Sequence, residues 1–386
     1  MMVVHLAASA CVGGPESQIL GLVGQMTAGG RGERTAVLSF SERGRCAALL
    51  DAAGRRGAET AELRHNAPNY RAAVREVADH LRRLGADVLC CHGYKPDILG
   101  LFAARRVGIP VLSVAHGWTA ATWKVRVNET LDRLSMRGMD RVVCVSEAQA
   151  VKVRRAGVPA RKTVVVRNAI DADRYDPSHA DPDGRAKLLG MFPEPPRLVV
   201  GSVGRLSPEK GFGVLVQAAA EVARAEPGVG FVHFGDGPLR PAVEEQIAAL
   251  GLSHRFVLAG FRTNVHRFFP HFDLFTLPSF TEGLPCVVLE SFASGVPVVA
   301  TAVGGTPEVV TEGPEGNGRL VPAGNPGALA EALLATLRDE PGRRLQAERG
   351  RKMVLYRFTF AAQADAYRAL FDELTRSKRG VAVGAS

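Results

Sequence analysis

The chain reads as an α/β protein built on two parallel sheets, and three observations support that class. Around Leu274 to Thr301 lie a buried strand (Leu274 to Leu277), a loop of small and turn residues, a short helix and a second apolar strand (Pro297 to Thr301). This is a βαβ unit, from which parallel sheets are assembled. Elsewhere, glycines follow apolar strand-like runs at Gly13-Gly14, Gly204 and Gly235. A strand, a glycine loop and a helix in succession make an anion-binding turn. Finally, periodicity fades over residues 171–196, where Asp, Pro, Gly and His crowd together, and then restarts in the strand Leu198 to Val203. The 386 residues are therefore expected to divide into a first domain (1–170), an interdomain linker region (171–196) and a second domain (197–359).

The elements follow in order. Val3 to Ala8 is a strand, and Glu16 to Met26 a helix whose apolar face is Ile19, Leu20, Leu22, Val23 and Met26. The turn between them lacks G-x-G-x-x-G, so it is not a dinucleotide fingerprint. Thr35 to Phe40 is a strand and Arg43 to Gly54 a helix. Tyr70 to Leu84 is an amphipathic helix stopped at Gly85. Two successive strands, Asp87 to Cys91 and Pro110 to Ala115, each run into His-Gly, at His92-Gly93 and His116-Gly117. His116 is the functional candidate, while His92 is read as structural or peripheral. Ala121 to Arg137 is a helix with Lys124, Arg126, Arg133 and Arg137 beside Trp118, Trp123, Val127, Leu131 and Leu134. Such a face suits an anionic membrane, or it is an ordinary charged surface. Asp140 to Val145 and Thr163 to Arg167 are strands that close the first domain, with the helix Glu147 to Ala156 between them.

In the linker region a short helix is expected at Gly184 to Leu189. Asp171-Ala-Asp173 is a formal DxD, but it sits in linker sequence and is not taken as a metal site. The second domain continues with helix Phe212 to Ala223, strand Gly230 to Phe234, helix Leu239 to Leu250 and strand Arg255 to Leu258. A strand near Gly318 to Val321, a helix at Pro326 to Arg338 and a tail helix at Phe360 to Thr375 follow.

The chemistry concentrates in the second domain. Gly283 frees the backbone to approach a ligand, and Pro285 suits a first helical turn, so the N–H groups there face an anion. Glu282 precedes them and Glu290 lies eight residues later. A carboxylate directly on a diphosphate is repelled, so both are placed on hydroxyls, for which they are strong acceptors. A ligand with a diphosphate between two sets of hydroxyls is a nucleotide-sugar; the alternative is a capping Glu282 and a solvated Glu290. Arg205 and Lys210, at the mouth of another βα turn, are suited to neutralising a leaving diphosphate.

The formal charge is +9, mostly from arginine, and favours phosphates, anionic lipids or nucleic acid. No basic arm, zinc spacing, helix-turn-helix or RNP-type motif supports a nucleic-acid partner. Six cysteines, at positions 11, 46, 90, 91, 144 and 286, form no CxxC pair and fit reduced thiols in a cytosol. The N-terminus reads as a strand instead of a signal peptide, and no apolar run approaches a membrane span. A cytoplasmic location is expected, with peripheral contact at the inner membrane face as an addition.

The stretch Thr281-Glu282-Gly283-Leu284-Pro285-Cys286-Val287-Val288-Leu289-Glu290 resembles the E-x7-E motif of the retaining glycosyltransferase family 4. The resemblance covers nearly the whole chain. Gly13-Gly14-Pro15-Glu16 is similar to that family's first glycine loop, and His116-Gly117 to its N-domain histidine. Val145-Ser146-Glu147 and Asn168-Ala-Ile-Asp171 resemble the segments before its linker. Gly204-Arg205 through Lys210-Gly211 resembles the diphosphate loop, and Gly235-Asp236-Gly237-Pro238 and Gly304-Gly305 match in order. The resemblance implies a GT-B fold, with two Rossmann-like, doubly wound parallel-sheet domains facing each other across a cleft. It also implies that residues 360–376 form a helix crossing back to the first domain, and that the turn at Phe261 and Arg262 lies against the nucleobase. A buried Phe261 is an equal alternative. The implied donor site comprises Gly13, Gly14, Gly204, Gly235, Phe261, Arg262, Gly283, Leu284, Pro285 and Glu290, with Arg205, Lys210, Glu282 and His116 as the catalytic set. The implied reaction moves a hexose or N-acetylhexosamine from a UDP- or GDP-linked donor to a carbohydrate, glycolipid or small-molecule acceptor, without a metal or other cofactor. A nucleotide-sugar epimerase or hydrolase of the same fold, or a basic binding protein, stays open as the alternative.

Overall fold

The structure is a computed structural model that describes residues 1–9, 12–30, 32–66, 68–117 and 123–383; the side chains of 123–128 and 377–383 are not described. Cys11, Trp118 and the side chains of Trp123, Lys124, Arg126 and Val127 therefore lie outside the described residues.

The chain forms two compact units, Met1–Ala169 with the tail from Phe360, and Ile170–Thr359. The chain passes from one to the other twice, and the two crossing points are neighbours: Ile170 N–H donates to the Phe358 carbonyl at 2.9 Å, and Ile170 bridges to Thr359.

Among the described residues the first unit holds seven parallel strands: β1 (Met2–Ala7), β2 (Arg34–Phe40), β3 (Glu59–Leu63), β4 (Val88–His92), β5 (Val111–Ala115), β6 (Arg141–Cys144) and β7 (Thr163–Val165). Their order, β3-β2-β1-β4-β5-β6-β7, reverses direction between β1 and β4. Both faces are apolar because helices cover both, as parallel sheets require. On one face Val3, Val88, Cys90, Leu112 and Val114 pack against Leu22 and Met26 of the helix Gly14–Ala28, and against Ala364, Tyr367, Phe371 and Leu374 of the helix Phe360–Val383. The Phe360 ring fills the space where a Cβ at Gly21 would stand.

The second unit holds, among the described residues, a six-stranded parallel sheet: β8 (Leu198–Val203), β9 (Val229–Phe234), β10 (Phe256–Gly260), β11 (Leu274–Leu277), β12 (Val298–Thr301) and β13 (Gly318–Val321). Its order is β10-β9-β8-β11-β12-β13, with the reversal between β8 and β11.

Four expectations need correction. Residues 171–196 are not a free linker but part of the second unit. Tyr175 is buried there, and Arg185 Nη1 bonds Asp273 Oδ2 at 2.9 Å. Strand β3 was not anticipated: it is an edge strand, largely exposed, so its sequence shows no apolar run. The helix expected from Arg43 begins at Ala47, because Glu42 and Arg43 have left-handed backbone (φ 44° and 63°). The helix Glu340–Arg357 was also missed; it buries little beyond Ala347, Gly350 and Val354, which leaves a weak periodic signal. By contrast, Tyr70–Leu84 runs as expected and stops at Gly85 in the left-handed region (φ 63°).

Candidate functional site

Open parallel sheets bind ligands beyond the carboxyl ends of their strands, where strand order reverses. In each unit the predicted residues gather around that point.

In the second unit the reversal lies between β8 and β11, and the loops after these strands meet. Lys210 Nζ bonds Glu282 Oε1 at 2.6 Å, and the Ser279 hydroxyl donates to the same oxygen at 2.6 Å. Glu282 is thus fixed from two sides and only 9% exposed, while Lys210 is 24% exposed. Arg205 is exposed and has no carboxylate partner among the described residues. The turn therefore carries one cation held in place by a carboxylate and one with no carboxylate partner among the described residues.

Glycines let these loops interlock. A Cβ at Gly235 (φ 147°) would lie 1.8 Å from the Gly204 carbonyl oxygen, and one at Gly304 (φ 54°) 1.9 Å from that of Glu282. Gly283 is tied in by accepting from Gly305 N–H at 2.9 Å. The Gly204 carbonyl is also held by a buried histidine that the sequence analysis did not single out. His233 Nε2 lies 3.1 Å from it, and His233 Nδ1 lies 3.0 Å from the Ser202 hydroxyl. Burial lowers the His233 pKa to about 3, so it stays neutral and Nε2–H donates.

Glu290 is not the freely solvated side chain of the alternative. It sits on the helix Cys286–Ala293, partly buried, and accepts from the Tyr175 hydroxyl. Burial raises its pKa to about 7, against the opposing pull of the Tyr175 hydrogen bond and the Arg174 charge. Burial and the Glu290 charge raise the Tyr175 phenol in turn. Tyr175 and Arg174 escaped the sequence analysis because they lie in the stretch taken for linker; the one signal was an aromatic four residues after Asp171.

Other placements differ from expectation. Leu284 is buried, only 3% exposed. Pro285 stands just before the helix with extended backbone (ψ 103°), outside the first helical turn. Phe261 is 72% exposed at the end of β10, which removes the buried alternative. Its neighbour Arg262 lies with its guanidinium 5.8 Å from the Phe268 ring. Among the described residues no three His, Cys, Asp or Glu side chains converge as a metal-ligand set.

In the first unit the reversal lies between β1 and β4. Gly13 N–H donates to Glu16 Oε2 at 3.0 Å, and a Cβ at Gly14 would meet nothing within 4 Å, so Gly14 borders open space. His116 follows β5. His92, read as structural or peripheral, is structural: it links two other histidines, with His5 at 3.1 Å and His116 at 3.4 Å. His5 was not anticipated, since a single polar residue inside an apolar strand gives no local signal.

Comparison with known proteins covers both units. The family model described as Glycosyltransferase Family 4 matches residues 12–174, and that described as Glycosyl transferases group 1 matches residues 197–339. A 2-deoxystreptamine glucosyltransferase of Streptomyces kanamyceticus is 32% identical over 289 residues, covering 70% of this chain and 73% of its own. A lipopolysaccharide core biosynthesis mannosyltransferase, LpsB of Rhizobium meliloti, is 30% identical over 246 residues, covering 62% and 68%. The structure of Anabaena Alr3699/HepE in complex with UDP superposes with a TM-score of 0.83 at 22% identity, over 97% of this chain and all of that one. The chain belongs to glycosyltransferase family 4: it is a hexosyltransferase with the GT-B fold.

Proposed function

We propose that this enzyme moves a hexose or N-acetylhexosamine from a UDP- or GDP-linked donor to an acceptor hydroxyl, with retention of anomeric configuration and without a metal ion. The reading rests above all on the Lys210–Glu282 pair beside Arg205, which has no carboxylate partner among the described residues, at the β8/β11 reversal. As the sugar–phosphate bond breaks, charge grows on the β-phosphate. Arg205, Lys210 and the backbone N–H groups after Gly283 receive it, each such contact being worth roughly 3 kcal/mol when preorganised. Glu282 keeps Lys210 in place through Oε1 and offers Oε2 to a sugar hydroxyl. His116 contacts a second sugar hydroxyl, Glu290 the ribose, and the exposed Phe261 and Arg262 the base. Gly204 and Gly235 shape the diphosphate loop, and Gly13 and Gly14 leave the backbone of the first glycine loop open to a phosphate.

The acceptor is a polysaccharide or glycoconjugate precursor of the cell surface, or a small glycosylated product. Relatives named for lipopolysaccharide core and for 2-deoxystreptamine support both classes. Among the described residues no helix is long and apolar enough to cross a membrane. Leu131 (47% exposed) and Leu134 (53%) next to Arg133 and Arg137 suit peripheral contact with an anionic bilayer.

One assay series tests the reading: UDP- and GDP-sugars are offered with and without an acceptor, with and without EDTA, and with anionic vesicles. Transfer that needs the acceptor, survives EDTA and yields a product of unchanged anomeric configuration is expected, faster on vesicles. Full turnover of donor alone favours an epimerase or hydrolase. Abolition by EDTA revives Asp171 and Asp173 as metal ligands.

A further inference from the structure

Three imidazoles cross the first sheet on one face. Partners in a parallel register point to the same side, as do residues two apart along a strand. Ala7 pairs with His92, and His92 with Val114. His5, two before Ala7, and His116, two after Val114, therefore share a face with His92. It is the face of Val3, Cys90 and Leu112, buried beneath helices. The rings meet end to end: His5 Nδ1 is 3.1 Å from His92 Nε2, and His92 Nδ1 is 3.4 Å from His116 Nε2. His5 is completely buried, and its Nε2 has no hydrogen-bond partner among the described residues.

Burial keeps all three rings neutral near pH 7: His5 and His116 are lowered to about 4, and His92 well below the usual histidine range. A neutral imidazole carries a single N–H, so the chain of bonds has only two possible directions. Running from His116 towards His5, it would strand an N–H of His5 in the core. Running from His5 towards His116, it leaves only an unshared lone pair there. Buried donors without partners are rarer than under-used acceptors. The second direction ends with the proton of His116 on Nδ1.

We propose that His5 and His92 are positioning residues that hold His116 as the Nδ1–H tautomer, so that it presents an uncharged donor to an oxygen of the transferring sugar. The proposal rests on the role given to His116 under Proposed function. A neutral donor suits that place, because it directs the sugar without competing with Arg205 and Lys210 for the diphosphate. It also explains why the family's histidine is backed by two more in this chain.

Imidazole ¹⁵N NMR of the ligand-free full chain reports which nitrogen carries the proton, with His116→Gln identifying the signals. His116 is expected protonated at Nδ1 and bare at Nε2. His92→Phe removes the donor to Nε2. It is expected to move His116 to the Nε2–H form and to lower kcat roughly tenfold, the loss of one well-aimed hydrogen bond, with donor KM within about twofold. In His92→Asn the amide N–H replaces Nδ1–H, and tautomer and most of kcat should return. An Nε2–H His116 in the wild-type chain overturns the proposal, as does a His92→Phe chain with unchanged tautomer. If His92→Phe fails to fold, His92→Leu takes its place under the same criteria. The spectra need no substrate, so this test fails independently of the transfer reading.

Discussion

The two sheets reverse direction at equivalent points and fill those points with opposite chemistry. At the β1/β4 reversal stand glycines and a chain of neutral histidines, His5, His92 and His116. At the β8/β11 reversal stand an ion pair, Lys210–Glu282, and a guanidinium with no carboxylate partner among the described residues, Arg205. On the proposed roles, the first group supplies direction without charge and the second fixed charge. The difference follows from what surrounds each group. The histidines continue a stripe buried on both sides, where a cation is costly. Lys210 and Glu282 sit at the rim, where each offsets the other and removing one leaves its partner uncompensated. The lesson is that the same topological position sets where a ligand binds, while burial sets what kind of contact it receives.

The strongest way to break the comparison is at the free cation. Arg205→Ala should lower kcat/KM for transfer by about two to three orders of magnitude, the usual cost of one preorganised transition-state contact. Unchanged melting must accompany it, since Arg205 is exposed and supports no packing. Turnover within about threefold of the wild type would remove the charged half of the contrast.

A smaller effect sharpens it at Glu290, the one group that shares traits of both sites, being a carboxyl raised to about 7 by burial. It is protonated below that value and ionised above. Its folded value lies above the ordinary 4.5, so it favours the folded state at low pH, and that contribution is lost as pH rises through about 7. The ionised form is the stronger acceptor for a ribose hydroxyl. Donor KM should therefore fall, by roughly threefold to tenfold, as pH rises through the value of Glu290. Glu290→Gln should show a flat profile, and an identical pH profile in wild type and variant would remove Glu290 from the donor site.

Much of this was legible in the sequence, for identifiable reasons. The strands β1, β8, β9, β11 and β12 are mostly apolar runs that lead into glycine-containing turns, and both features are local. Glu282, Lys210 and Arg205 stood out because charged residues beside glycine turns are locally conspicuous. Their pairing was not legible: Lys210 and Glu282 are 72 residues apart and meet only through the strand order. His5 and Tyr175 were missed for the same reason, one hidden inside an apolar strand and one inside a stretch read as linker. The exposed strand β3 and the sparsely buried helix Glu340–Arg357 carry little periodic pattern, because little of either is buried.

The central claim of the proposed reading is that Lys210 binds the diphosphate by charge and His116 does not. The most direct test is calorimetric titration of UDP, or GDP if the enzyme prefers it, into the wild-type chain, Lys210→Met and His116→Gln. The account predicts that Lys210→Met weakens nucleotide binding by roughly tenfold or more, the worth of a charge-assisted hydrogen bond, while His116→Gln stays within about twofold. Equal losses in the two variants, or a loss confined to His116→Gln, would contradict it.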